Sequence, residues 1–262
     1  MLELKNVSIR LRQTGETPVR SVSFSIRPGE VLGLVGESGS GKSLTSKCIM
    51  GLLNPRQFEA SGSIRWNGEE LLNAGRKQAE IRGSQIGMIM QNPMTAFAPM
   101  LPIGKQLEMG FPLKDRQDRQ RFRTELGEVL ERVKLPEMRS IMKQYPDALS
   151  GGMLQRVMIA VTVLKKPALL IADECTTAVD AASEYCILQE LQKMKAGGMS
   201  MMIVTHDFGV AARLCDTVAV MKDGEIIESG STQDVFRSPR HPYTKLLAES
   251  SVLFQEGTCS EP

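Results

Sequence analysis

The feature that most constrains this chain is the run Val31-Leu32-Gly33-Leu34-Val35, followed at once by Gly36-Glu37-Ser38-Gly39-Ser40-Gly41-Lys42-Ser43. An apolar run without polar alternation describes a strand buried on both faces. The string after it fits G-x-x-x-x-G-K-[ST], and Leu44–Leu53 then reads as a helix. Average composition yields such a string by chance in about one per cent of chains of this length. Its seat between a strand and a helix removes most of that coincidence. Small residues let successive backbone N–H groups, up to that of Leu44, converge on phosphate oxygens, and the helix dipole adds positive potential there. Lys42 is placed to reach β- and γ-phosphates as a point charge, and the Ser43 hydroxyl to ligate Mg²⁺.

A second buried run, Leu169–Ala172, delivers Asp173 and Glu174 to a sheet edge. Asp173 suits Mg²⁺, directly or through water, and Glu174 suits the activation of a water in line with the γ-phosphate. Gln91 ends the run Ile86–Met90, and His206, one of two histidines, follows Met201–Thr205. Each is a polar residue at the carboxyl end of an apolar strand, where open α/β sheets place their ligands.

Around these strands the chain has 262 residues with 32 basic and 30 acidic side chains. That balance argues against a dedicated nucleic-acid binder. No apolar run approaches the ~18–20 residues of a membrane helix, and MLELKNVSIRLR lacks the apolar core of a signal peptide. The chain therefore reads as soluble and cytosolic. Its five cysteines show no C-x-x-C spacing and read as reduced thiols. Leu2–Leu11 and Val22–Ile26 read as strands, Val218–Met221 and Glu225–Glu228 as a hairpin about Asp223-Gly224, and Pro242–Glu249 as a last helix before a frayed tail. Between Ala96 and Leu149, apolar residues at Phe122, Leu126, Val129, Leu130 and Val133 have helical spacing, and the charge run Lys114–Arg123 reads as a solvated face. Methionines 88, 90, 94, 100 and 109 crowd one region and suit an adaptable contact surface.

Leu149-Ser150-Gly151-Gly152-Met153-Leu154-Gln155-Arg156 sets a serine and two glycines at a helix start, a second anion cradle where one nucleotide needs only one. The order phosphate loop, Gln91, this segment, Asp173-Glu174, Asp180 and His206 resembles the ATP-binding subunit of ABC transporters, from Leu2 to about Leu247. The resemblance implies an α/β fold: a P-loop NTPase core at 1–95 and 150–230, an antiparallel β subdomain, an α-helical insert at 96–149, and a C-terminal helical tail at 231–262. It also implies two subunits that sandwich two ATP molecules. Gly36–Leu44 would bind one, while Ser150, Gly151 and Gly152 serve the partner's, Asp180 lies at the seam, and adenine packs near Leu11. Gln91 would touch Mg²⁺ or the attacking water, and His206 the γ-phosphate. The implied partners are a sister ATP-binding chain or a second copy, two membrane permeases gripped through 92–110, and, indirectly, an extracytoplasmic substrate-binding protein. The implied location is peripheral, on the cytoplasmic face of the inner membrane.

GESGSGKS, Gln91-Asn92-Pro93, the LSGGMLQR segment and Arg240-His241-Pro242-Tyr243-Thr244 are similar to the oligopeptide, dipeptide and nickel importer group. The short form, with only Cys259 in its tail and with Ile89-Met90-Gln91-Asn92-Pro93 and Ser150-Gly151-Gly152-Met153-Leu154-Gln155-Arg156, is most similar to the first of two ATP-binding subunits of nickel importers. That likeness implies nickel or a related, possibly chelated transition metal, with peptides as the alternative. A soluble non-transport ABC ATPase, which usually carries a long coiled coil or a second unit, fits poorly. Three departures from the family pattern stand out. Leu11, between Arg10 and Arg12, replaces the usual adenine-stacking aromatic; Cys175 replaces the usual proline after Glu174 and reads as a candidate oxidation site; Met153 replaces the commoner glutamine.

Overall fold

The computed structural model describes residues 1–135, 138–176 and 181–250. Asp180, Cys259 and the tail after Gln255 lie outside them. In chain order the strands are β1 (Leu2–Leu11), β2 (Val19–Ile26), β3 (Val31–Val35), β4 (Phe58–Trp66), β5 (Glu69–Glu70), β6 (Ile86–Ile89), β7 (Leu169–Asp173), β8 (Ser200–Thr205), β9 (Thr217–Lys222) and β10 (Glu225–Ser231). The helices are α1 (Lys42–Ile49), α2 (Arg76–Ile81), α3 (Ile103–Met109), α4 (Arg116–Arg132), α5 (Met138–Ile141), α6 (Gly151–Lys165), α7 (Ala181–Ala196), α8 (Phe208–Leu214), α9 (Thr232–Arg237) and α10 (Pro242–Ser250).

The strands form two sheets. One is antiparallel, in the order β2-β1-β4-β5; the other runs β10-β9-β3-β8-β7-β6. In the second, β9, β3, β8, β7 and β6 are parallel, and only β10 runs antiparallel to its neighbour. Its inner strands are apolar throughout because each faces two cores, and successive residues alternate between them. Val31 and Val35 join α3, α4, α6 and α8 in one core, while Leu32 and Leu34 join the antiparallel sheet and α1 in the other. Leu170 and Ala172 divide from Leu169 and Ile171 in the same way, as do Met201 and Ile203 from Met202 and Val204. The parallel strands all end on one side, and that edge carries Gly36, Gln91, Glu174 and His206.

Several boundaries differ from the sequence reading for physical reasons. The first helix begins two residues before Leu44 and stops at Ile49 rather than Leu53. Its last carbonyls, on Cys48 and Ile49, are taken by the Gln78 amide at 3.0 Å each, and the chain turns away through a left-handed Gly51. Strand β4, which the sequence reading does not contain, pairs with β1 along its length but slips register where Gly62 passes the Asn6 carbonyl with no room for a Cβ.

In α4, Phe122, Leu126, Val129 and Leu130 are buried, and Asp115 caps the helix by accepting from the Asp118 N–H. Arg116, Arg119, Arg121 and Arg123 face solvent. Among the described residues no helix is long and apolar enough to cross a membrane, and the apolar run Val157–Leu164 lies within α6. Leu126 is fully buried in the helical core. Leu126→Ala should destabilise the chain by about 3 kcal/mol through lost burial and a residual cavity, read as a lower urea midpoint.

Candidate active site

The phosphate loop leaves β3 and enters α1 at Lys42. Its shape depends on missing side chains. A Cβ on Gly36 would lie 2.0 Å from the Met221 carbonyl oxygen, and one on Gly41 2.8 Å from that of Pro18. Gly39 is left-handed, and a Cβ there would meet nothing within 4 Å, so this part of the loop opens outward. Ser38 and Glu37 are exposed, Ser40 is buried, and Leu44 packs against the core between the sheets. The Gly224 N–H of the β9–β10 turn donates to the Ser40 carbonyl at 3.1 Å.

Lys42 is only 3% exposed. Its ammonium donates to the carbonyls of Gly36 (2.7 Å) and Glu37 (2.6 Å) and lies 3.3 Å from Ser40 Oγ. Burial lowers its pKa, against the carboxylates of Glu174, Asp173 and Glu37. The Ser43 hydroxyl donates to Asp173 Oδ1 at 2.9 Å. Burial raises the Asp173 carboxyl; the Ser43 bond pulls it back and the Glu174 charge adds to the rise. A hydroxyl and a carboxylate meeting beside a phosphate cradle form the oxygen-only set that suits Mg²⁺, so these residues fit that ion.

Glu174 ends β7 in the left-handed region, φ 46°, a conformation that costs a non-glycine residue about 1–3 kcal/mol and is found at functional sites. Its N–H remains tied to the Val204 carbonyl at 2.9 Å. Its two carboxylate oxygens have separate neighbours: Gln91 Nε2 donates to Oε2 at 2.6 Å, and His206 Nδ1 lies 3.5 Å from Oε1. The sequence reading assigned Gln91 and His206 to ligand and water; in this structure both face Glu174. Lys42, Ser43, Asp173, Glu174, Gln91 and His206 thus form one cluster at the sheet edge.

The second cradle does not join it. Ser150 caps α6 by accepting from the Met153 N–H, and Gly151 is exposed with open space around its α-carbon. Its helix still reaches the site, because Gln155 Nε2 donates to the Cys175 carbonyl at 3.1 Å, one residue past Glu174. The Cys175 thiol corrects the oxidation reading: it is buried and burial pushes it up to about 12, leaving almost no thiolate near neutral pH. At the end of β1, Leu11 is half-buried and Phe58 of β4 stands directly opposite, so an aromatic ring neighbours that position after all. Arg12 turns to the Pro55 carbonyl at 3.0 Å.

Two participants are absent from the sequence reading. Tyr243 accepts the Glu37 N–H at 2.9 Å across 206 residues, and the β9–β10 turn seats the loop. The tail motif containing Tyr243 was visible, but nothing local signals so distant a contact.

With this geometry in place, the comparisons with known proteins are decisive for class. The ABC transporter family model matches residues 19–177, and the chain belongs to that family. A second model, the oligopeptide/dipeptide transporter C-terminal region, matches residues 227–258. The chain is 42% identical over 257 residues to the oligopeptide transport ATP-binding protein OppD of Lactococcus lactis subsp. cremoris, covering 96% of this chain and 75% of that one. It is 40% identical to the glutathione import ATP-binding protein GsiA of Pectobacterium atrosepticum, over 97% of this chain and 42% of that one. These matches place it with the oligopeptide/dipeptide group. An ATP-binding cassette solved as a dimer in a post-hydrolysis state, bound to ADP and Pi, superposes with a TM-score of 0.73 at 28% identity, over 88% of this chain and 99% of that one. The fold is the ABC ATPase cassette: an α/β P-loop core with an antiparallel β subdomain.

The raised Asp173 carboxyl has a testable sign. Ionised, it costs the folded chain stability; that cost is full above its raised folded pKa, fades as pH falls from there toward the ordinary value of 3.8, and is gone below it. Asp173→Asn keeps an acceptor for Ser43. In nucleotide-free buffer with chelator it should raise the melting temperature at pH 7, each kcal/mol of relief reading as roughly 2–4 °C in a chain of this size. The gain should vanish near pH 3.

Proposed function

We propose that this chain is the ATP-hydrolysing subunit of an ABC importer for oligopeptides or dipeptides, including short peptides such as glutathione. The observation that carries the hydrolytic part is Glu174, held between Gln91 and His206 beside the Ser43–Asp173 pair and the phosphate loop. The cargo part is supported by the C-terminal-region match at 227–258 and by relatives named for oligopeptide transport and glutathione import. These favour the peptide alternative over nickel, which rested on the short tail and on likeness in Ile89–Pro93 and Ser150–Arg156.

In this reading the N–H groups of the loop from Gly36 to Leu44, apart from that of Glu37, which Tyr243 holds, bind the phosphates of ATP, and Lys42 reaches the β- and γ-phosphates. Ser43, Asp173 and Gln91 would hold Mg²⁺, which when bound supplies charge neutralisation at the transferring phosphoryl group. Glu174 accepts a proton from the attacking water. Gln91 and His206 aim its carboxylate, and His206, more than half exposed, also faces the γ-phosphate. Adenine rests on Leu11 and Phe58.

Ser150, Gly151 and Gly152 point their helix start at the nucleotide of a second ATP-binding chain, a sister subunit or another copy, with Asp180 at the seam. The segments 1–95 and 150–230 act as the nucleotide-binding core, 96–149 as the helical insert and 231–262 as the tail. Two permease subunits dock along the insert, peripheral to the cytoplasmic face of the membrane, and a binding protein delivers cargo to them. The docking reading is supported by a cavity of about 400 Å³ lined by Met88, Met90, Phe97 and Leu107. Nearby, Met94, Met100 and Met109 are 45%, 84% and 71% exposed.

The test is Glu174→Gln in the assembled complex with its permeases. ATP binding should persist while phosphate release falls by about 10²–10⁴-fold; normal turnover would remove Glu174 from its role. In the same complex, reconstituted with its binding protein, short peptides should stimulate hydrolysis and Ni²⁺ alone should not. The reverse pattern would restore the metal reading.

A further inference from the structure

The segment Arg240-His241-Pro242-Tyr243-Thr244 entered only as a mark of likeness, yet it brings a side chain from the far end of the chain to the phosphate loop. We propose that Tyr243 is a positioning residue for nucleotide binding, its phenol oxygen fixing the Glu37 peptide so that the loop is shaped before phosphate arrives. The inference rests on the nucleotide reading of this site.

Glu37 is gripped at both ends of its backbone. Its N–H donates to the Tyr243 oxygen at 2.9 Å, while its carbonyl accepts from Lys42 Nζ at 2.6 Å and from the Ser40 N–H at 3.2 Å. These restraints have different fates when phosphate enters. Lys42 has three N–H donors and already spends two on the carbonyls of Gly36 and Glu37, so a phosphate draws on the same ammonium that braces the loop. The loop's internal cation is then shared with the ligand at the moment the loop must hold its shape. The Tyr243 bond does not compete with the ligand, because it uses an N–H turned toward α10. Together with the Gly224 N–H on the Ser40 carbonyl, it ties the loop to its surroundings and keeps it preorganised, and preorganisation reads out as affinity.

The tyrosine is itself held firmly. It is 6% exposed, and Lys222 Nζ sits 4.7 Å from its ring centroid. Its N–H donates to His241 Nδ1 at 3.1 Å. One carboxylate oxygen of Glu228 accepts the Arg240 N–H at 2.8 Å and the other the His241 N–H at 3.0 Å. Burial alone would raise the Glu228 carboxyl, but these backbone donors hold it below the usual range, so it stays an ionised acceptor. A continuous line of contacts therefore runs from β10 through Glu228, His241 and Tyr243 to Glu37.

Tyr243→Phe in the full chain removes the oxygen and keeps the ring. Losing one such hydrogen bond should raise the Kd for ATP and ADP about fivefold by calorimetry. In the assembled complex KM for ATP should rise by the same factor with kcat unchanged. A purely structural role would instead lower the melting temperature and leave Kd of the folded protein alone. Wild-type chain that binds ATP beside a Y243F variant with the same Kd overturns the inference, as does a loss confined to kcat. Wild-type chain that fails to bind ATP overturns the nucleotide reading instead. If Y243F does not fold, amide exchange in the wild type decides: the Glu37 N–H should stay protected with ATP bound, and exchange at solvent rate overturns the inference.

Discussion

Three backbones meet at the phosphate loop, and they can touch only because glycine stands at each point of approach. Gly36 faces the Met221 carbonyl, Gly41 faces the Pro18 carbonyl, and a Cβ on Gly224 would lie 2.7 Å from that same Pro18 oxygen. Hydrogen bonds run through the junction: the Arg20 N–H donates to the Gly224 carbonyl, and the Gly224 N–H to the Ser40 carbonyl. Pro18 belongs to the connection into the antiparallel sheet, Gly224 to the hairpin of the other sheet, and the loop lies between them. The two sheets are therefore fastened together at the point where phosphate would bind. A displacement of the loop cannot stay local, because both sheets lean on it.

The same small volume gathers charges that the chain alone does not balance comfortably. Lys42 and Asp173 are both buried, and burial moves each toward its neutral form. Asp173 and Glu174 are adjacent in sequence, and the Glu174 charge adds to the rise at Asp173. Loop carbonyls, the Ser43 hydroxyl, Gln91 and His206 supply partial compensation. The unbalanced groups suit what the proposed function would bring there: polyanionic phosphate for the ammonium and the N–H groups, and a divalent cation for the carboxylates. The strained backbone at Glu174 belongs to the same economy, since the neighbours on both carboxylate oxygens and the Val204 carbonyl together hold it in place.

Much of this was legible in the sequence because the informative strands lie inside the parallel sheet. Val31–Val35, Leu169–Ala172 and Met201–Val204 face apolar surroundings on both sides, so unbroken apolar runs mark them and polar residues mark their ends. The phosphate loop, Asp173-Glu174, Gln91 and His206 all follow from that geometry. What was not legible depends on partners far away in the chain. Strand β4 carries Ser61, Gly62 and Ser63 in its middle and becomes a strand through its pairing with β1. Phe58 gains meaning only opposite Leu11. The first helix ends early because Gln78, about thirty residues on, takes its last carbonyls. The thiol of Cys175 looked reactive by position, and its burial makes it inert. Cargo was the weakest reading, because it turned on likeness in short motifs and the tail rather than on chemistry that the residues themselves dictate.

The contact between Glu37 and Tyr243 joins residues 206 apart, and β3 pairs with β8 and β9 from the last third of the chain. During synthesis the amino-terminal half emerges with the loop sequence complete but without its neighbours. At about 5–20 residues per second, Tyr243 follows Glu37 from the ribosome by roughly 10–40 s. For most of that interval, until β8 and β9 emerge, β3 is an apolar strand with both edges open, the kind of segment that chaperones shield and that aggregates when left alone. The nucleotide site is thus among the last parts of the molecule to be finished, and a ribosome that stops before α10 releases a loop with every signature residue and no final shape.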